Sequence, residues 1–134
     1  MTIKVMIVDD SAVMREVMQQ LLAPHKDIEV IGAAMDPLLA MQKMQSVWPD
    51  VILLDINLPL KNGHEVLLEI KGNEKTRRIP VMMLTTSSAP EDINGCYDKH
   101  ANLYMTKPSD MNSFEDALNA VESFWNDLVH LPRQ

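Results

Sequence analysis

The stretch Ile3-Lys4-Val5-Met6-Ile7-Val8-Asp9-Asp10-Ser11 decides how this chain is read. Apart from Lys4 its first six residues are apolar, the pattern of a strand buried on both faces. The run stops on two acids, and Ser11 then offers an N-cap. Val13, Met14, Val17, Met18, Leu21 and Leu22 recur at helical spacing until Ala23-Pro24 halts them. A buried strand, an acidic end and a helix make one unit.

That unit repeats along the chain. Ile28 to Ala34 is a second apolar, β-branched run, and Asp36-Pro37 reads as an N-cap with proline at the first helical position. A second helix carries Leu38, Leu39, Met41 and Met44 and stops at Trp48-Pro49. Val51-Ile52-Leu53-Leu54 is a third strand, again ended by an acid, Asp55. A loop with Pro59 follows, and Gly63 precedes a short helix with Val66, Leu67 and Ile70. Lys71 to Arg78 reads as a solvated loop. Ile79 to Leu84 is a fourth strand, ended by Thr85-Thr86-Ser87-Ser88, and Pro90-Glu91-Asp92 opens a fourth helix. Asn102 to Thr106 is a fifth strand, ended by Lys107-Pro108. From Met111 a last helix carries Phe114, Ala117, Leu118, Val121, Trp125 and Leu128 on one face. Strand and helix alternate five times, which implies a parallel sheet with helices on both sides. The expected strand order is 2-1-3-4-5.

Length and composition agree. The 134 residues suit one domain, with 46% hydrophobic and 23% charged residues. No apolar run is long enough to span a membrane, and the early acids do not fit a signal peptide. Twelve basic against nineteen acidic side chains give a net charge of −7, which argues against sequence-independent nucleic-acid binding. A lone cysteine, Cys96, excludes an internal disulfide and suits a reducing, cytoplasmic setting.

In open parallel sheets, ligands bind beyond the carboxyl ends of the strands. Those ends carry Asp9, Asp10, Asp55, Thr85 and Lys107. Three clustered carboxylates repel one another unless a hard cation neutralises them, and Mg²⁺ prefers such oxygen ligands. A nucleophilic carboxylate, a metal, an ammonium and a hydroxyl are the parts for phosphoryl transfer. A nucleotide or flavin binder needs a glycine-rich turn after the first strand, and DDSAVMRE has no glycine. An aspartyl phosphatase would normally carry its nucleophile after the first strand, together with a cap domain.

Five motifs then fall in order: VDDS (Val8 to Ser11), LLDINLP (Leu53 to Pro59), NG (Asn62-Gly63), LTTS (Leu84 to Ser87) and YMTKP (Tyr104 to Pro108). With them the chain resembles the receiver domain of two-component response regulators from about Ile3 to Leu128. The resemblance implies a flavodoxin-like (βα)5 fold and a single receiver domain over 1–134, without an output domain. It makes Asp55 the acceptor of a phosphoryl group from a sensor histidine kinase. Asp10, Asp55 and the backbone carbonyl of Asn57 would hold Mg²⁺, with Asp9 acting through water. Thr85 and Lys107 would contact the phosphoryl group, Thr86 would border it, and Tyr104 would be the switch aromatic. The Lys107-Pro108 peptide is expected to be cis. Such a module assists its own phosphorylation and slow hydrolysis but turns over no external substrate. It has no nucleic-acid or membrane partner. A homodimer would use helix 4, strand 5, helix 5 or the C-terminal helix.

Finer resemblance divides the chain near residue 55. The first part, VMIVDDSAVMREVMQQLLAPHKDIEVIGAAMDP, is similar to receivers of chemotaxis methylesterases. The remainder, with its ending ESFWNDLVHLP, is similar to regulators that partner bacterial phytochromes. Two histories produce such a chain: a chimera joined near Asp55, or one lineage with an unusual N-terminal half. A recombined scaffold without a cognate partner is the alternative to a working signalling module. The methionines read as core filling, Cys96 as an inert thiol, and His25, His64, His100 and His130 as outside any site. Phe124, Trp125 and Leu128 are core or a dimer patch, since neighbouring bulky residues cannot all face inward.

Overall fold

The computed structural model describes residues 2–58, 61–125 and 131. Five strands, β1 (Ile3–Val8), β2 (Ile28–Ala34), β3 (Val51–Leu54), β4 (Val81–Thr85) and β5 (Leu103–Thr106), form one parallel sheet in the order β2-β1-β3-β4-β5. Between and after them lie α1 (Ala12–Leu22), α2 (Pro37–Ser46), α3 (Gly63–Gly72), α4 (Pro90–Asp98) and α5 (Met111–Ser123). This is the expected doubly wound flavodoxin-like architecture.

The alternation within the strands builds two cores. Met6, Val8, Ile52, Leu54, Val81 and Met83 pack with Ala40, Met44, Val66 and Ile70 on one face. Val5, Ile7, Val51, Leu53, Met82 and Leu84 pack with Met18, Leu22, Phe114 and Leu118 on the other. Burial on both faces holds for β1, β3 and β4 but not for the sheet edge, where Leu103 of β5 is exposed. β4 begins at Val81 rather than Ile79, because Pro80 has no N–H to give to a ladder. Of the bulky residues near the end of α5, Trp125 is buried while Phe124 is exposed; Leu128 and His130, like Pro59, lie outside the described residues.

Helix starts follow the sequence signals. The side chains of Ser11, Asp36, Asn62 and Asp110 accept from the N–H groups of Met14, Leu39, Glu65 and Ser113. The stretch from Lys71 to Arg78 is not simply solvated. Lys71 ends α3 half-buried and donates to the carbonyls of Arg77 and Ile79 and to Asn102 Oδ1. Thr76 is buried, its hydroxyl donating to the Ile70 carbonyl at 2.7 Å. Polar side chains thus turn inward here to meet backbone carbonyls of the α3–β4 connection.

Gly63 starts α3 tight against the end of β3. Its N–H donates to the Ile56 carbonyl at 2.6 Å. A Cβ there would sit 2.3 Å from the Asp55 carbonyl oxygen and 2.6 Å from Ile56 Cα, so close approach rather than backbone conformation requires glycine. Gly63→Ala is expected to cost about 1–3 kcal/mol, because the obstacle is backbone. Urea unfolding checks this, with Gly72→Ala, which meets nothing within 4 Å, as the mild control.

Candidate functional site

Strand register assembles the site. Val8 pairs with Leu54, so the next residues, Asp9 and Asp55, are neighbours. The ladder continues past the strand ends, with Asp9 N–H donating to Ala34 and Asp55 N–H to Val8. Thr85 pairs with Thr106, and Lys107 N–H donates to the Thr85 carbonyl at 2.6 Å. Residues far apart in sequence thus meet because their strands end level with one another.

One carboxylate oxygen from each of Asp9, Asp10 and Asp55 lies within 4.8 Å of the others. Asp9 is 2% exposed and Asp55 6%, while Asp10 faces outward. Lys107 Nζ sits 2.5 Å from Asp9 Oδ2 and 3.7 Å from Asp55 Oδ2. Asp9 Oδ1 accepts from the Ser11 N–H, and Asp55 Oδ1 from the Ile56 N–H. Burial pushes the Asp55 carboxyl above the usual carboxylate range, Lys107 opposes this, and Asp9 adds to it. One ammonium against three carboxylates leaves an excess of negative charge with oxygen-only donors, which fits a hard divalent cation.

Thr85 is fully buried, and its Oγ1 has no hydrogen-bond partner among the described residues. The same hydroxyl is among the groups that lower the Asp55 pKa, so it faces the Asp55 carboxylate from just outside full hydrogen-bond geometry. Tyr104 is half-buried, and its hydroxyl donates to the Ser87 carbonyl at 2.9 Å. Burial first of all raises its pKa. Asn57 and Thr86 are exposed beside the cluster.

The Lys107–Pro108 peptide corrects the expectation: no cis bond exists among the described residues, and this one is trans. Trans is the isomer that X–Pro bonds favour by about 0.5–1 kcal/mol. Two further features escaped the sequence reading. Arg15 Nη1 donates to the Asp9 carbonyl at 2.7 Å, fixing the acid from behind, and no residue pattern signals it. His64, set aside as functionless, bonds Asp92 and lies 3.7 Å from the Cys96 sulfur. Cys96 itself is fully buried, with its thiol pKa pushed up chiefly by burial, as suits an inert thiol.

Fold and site together define a doubly wound α/β domain with an acidic, cation-suited cluster at its switch point. The family model of the response regulator receiver domain matches residues 5–119, and the chain belongs to that family, as a receiver of two-component signalling. Response regulator Rcp1 of Synechocystis sp. (strain ATCC 27184 / PCC 6803 / Kazusa) is 37% identical, over 96% of this chain and 92% of its own length. A solved structure of its Mn²⁺-bound form superposes with a TM-score of 0.88, at 38% identity, over 97% of this chain and 99% of that one. The phosphorylated cyanobacterial phytochrome response regulator RcpA is 33% identical with a TM-score of 0.89, over 99% of this chain and 100% of that one. A protein-glutamate methylesterase/protein-glutamine glutaminase of Chromobacterium violaceum is 48% identical, over 66% of this chain, which spans only 25% of that protein. The methylesterase match runs over 89 residues, longer than the first part up to residue 55, and a junction near Asp55 is not confirmed. No described helix is long and apolar enough to cross a membrane.

The raised Asp55 pKa has a stability consequence. The folded carboxyl holds its proton more readily than the unfolded one, so the cost of ionising it is complete above the folded pKa and fades as pH falls toward the unfolded value. Asp55→Asn is therefore expected to stabilise the cation-free protein by about 1–2 kcal/mol near neutral pH, with a smaller gain on acidification. Urea unfolding in a chelator at two pH values checks both sign and trend.

Proposed function

We propose that Asp55 is the phosphoacceptor of a receiver that signals through a phosphorylation-dependent surface change. The carrying observation is the level alignment of a buried carboxylate, a lysine 3.7 Å from it and an unpartnered buried hydroxyl at the next strand end. The Asp55 oxygen attacks phosphorus of a sensor kinase's phosphohistidine. An O–P bond forms, the N–P bond breaks, and the imidazole leaves with its electron pair. Water later attacks phosphorus, releasing inorganic phosphate and the carboxylate. Lys107 and Thr85 Oγ1 supply donors to the phosphoryl oxygens.

Asp10, Asp55 and the Asn57 carbonyl would hold Mg²⁺, with Asp9 acting through water. When bound, the cation neutralises charge on the carboxylates and phosphoryl oxygens. The donor set supports this, and the Mn²⁺-bound form of Rcp1 is a relative with a metal. As Thr85 turns to the phosphoryl group, Tyr104 gives up the Ser87 carbonyl and turns inward. A phytochrome-type sensor kinase is the partner favoured by the likeness to RcpA. Exposed Tyr97, Leu103 and Phe124 on the α4, β5 and α5 side support a homodimer contact there. The receiver unit is taken as 1–134, working in the cytoplasm without a nucleic-acid or membrane partner.

Incubation with Mg²⁺ and a small phosphodonor, read by intact mass, tests the chemistry without the kinase. One added phosphoryl group is expected, lost in Asp55→Asn and in the metal-free control. Absence of both that group and a stable beryllofluoride complex would overturn the reading.

A further inference from the structure

Outside the acidic cluster, polar side chains converge between α3 and the loop that follows β4. His64 Nε2 lies 3.0 Å from Asp92 Oδ1. Asp92 Oδ2 accepts from the Ser87 hydroxyl at 2.6 Å. Ser87 Oγ also accepts from the Ala89 N–H, and the Ser87 carbonyl accepts from the Tyr104 hydroxyl. Ser87 is thus held at its side chain by Asp92 and holds Tyr104 through its backbone. The anchor sits at the start of α3, where His64 follows Gly63, whose N–H donates to the Ile56 carbonyl and where an added Cβ would meet the Asp55 carbonyl. α4 supplies no side-chain cap of its own at Ala89, so the loop before it depends on these bonds. His64 and Asp92 are both partly shielded, at 19% and 31% side-chain exposure. Both bonds hold the Asp92 carboxyl below the usual range, that from Ser87 more than that from His64.

We infer that His64 is a positioning residue which, through Asp92 and Ser87, latches the β4–α4 loop and Tyr104 in the unphosphorylated arrangement. The inference rests on the proposed phosphorylation of Asp55, because a phosphoryl group there would draw on the Thr85 hydroxyl and on the loop that continues from it. Ser87 lies two residues beyond Thr85 and cannot follow while both its hydroxyl and its carbonyl are engaged. The latch opposes phosphorylation from a helix that never touches the phosphoryl group. Its strength is that of one charge-assisted hydrogen bond at a half-exposed position, about fivefold in the equilibrium between arrangements.

The test compares His64→Leu with His64→Gln, whose amide nitrogen reaches about as far as Nε2. The chain has two tyrosines, Tyr97 and Tyr104, and Tyr97 is exposed, so ring-labelled tyrosine gives one reporter and one internal control in an NMR spectrum. In protein free of metal and phosphate, His64→Leu is expected to shift or broaden the Tyr104 signal and leave Tyr97 unmoved. His64→Gln is expected to keep the parent signal. Beryllofluoride with Mg²⁺ is expected to bind about fivefold tighter to His64→Leu and with parent affinity to His64→Gln. An unmoved Tyr104 signal in His64→Leu, or the same behaviour in both variants, overturns the latch, as does unchanged or weaker beryllofluoride binding. Should His64→Leu not fold, Ser87→Ala carries the same expectations. A parent protein that takes up neither a phosphoryl group nor beryllofluoride defeats the phosphorylation reading instead, and the Tyr104 signal still decides the latch.

Discussion

The arrangement depends on a buried excess of negative charge. Asp9 and Asp55 are almost wholly covered, and one ammonium, Lys107, stands between them. Burying ions is costly unless each is paired and hydrogen-bonded. Here pairing is incomplete: Lys107 is closer to Asp9, and Asp55 has one backbone N–H and a distant share of the lysine. Two hydrophobic cores, one on each face of the sheet, lie beneath this imbalance and hold the strands that carry it. An imbalance of this kind draws in a cation and makes the acceptor carboxylate responsive to its surroundings.

Backbone geometry, more than side-chain packing, sets the positions. Level strand ends place the acids, the threonine and the lysine, and the pairing of Val8 with Leu54 and of Thr85 with Thr106 is enough to bring them together. The tight seat of Gly63 then sets the start of α3 directly against the end of the acceptor strand, with His64 the next residue. Tyr104, Ser87 and Asp92 close the circuit back to the loop after β4.

Much of this was legible in the sequence. Apolar runs that stop on an acid mark strands that stop at a site, and β1, β2 and β3 begin and end where those runs do. The Ser11 and Asp36 caps were readable because their side chains act within three residues. What was hidden acts at longer range. Arg15 carries no signal in the sequence, and its bond to the Asp9 carbonyl is set by the start of α1. His64 and Asp92 lie 28 residues apart, and nothing local couples them. Lys71 reads as solvated because a lysine in a polar run usually is, yet its ammonium bonds the backbone carbonyls of Arg77 and Ile79. The Lys107–Pro108 isomer was an expectation from resemblance, and no residue pattern encodes it.

Lys71 gives the sheet a fixed pole. Its ammonium joins the end of α3 to the carbonyls of Arg77 and Ile79 ahead of β4, and to Asn102 Oδ1 ahead of β5. Asn102 Oδ1 also accepts from the Val81 N–H, so the amino ends of both strands are stitched to one point. The opposite pole carries the acids and the loop with Ser87. The stitch fixes the register of β4 against β5 at the end of the sheet opposite the site, and with strands of five and four residues that register is what brings Thr85 level with Thr106.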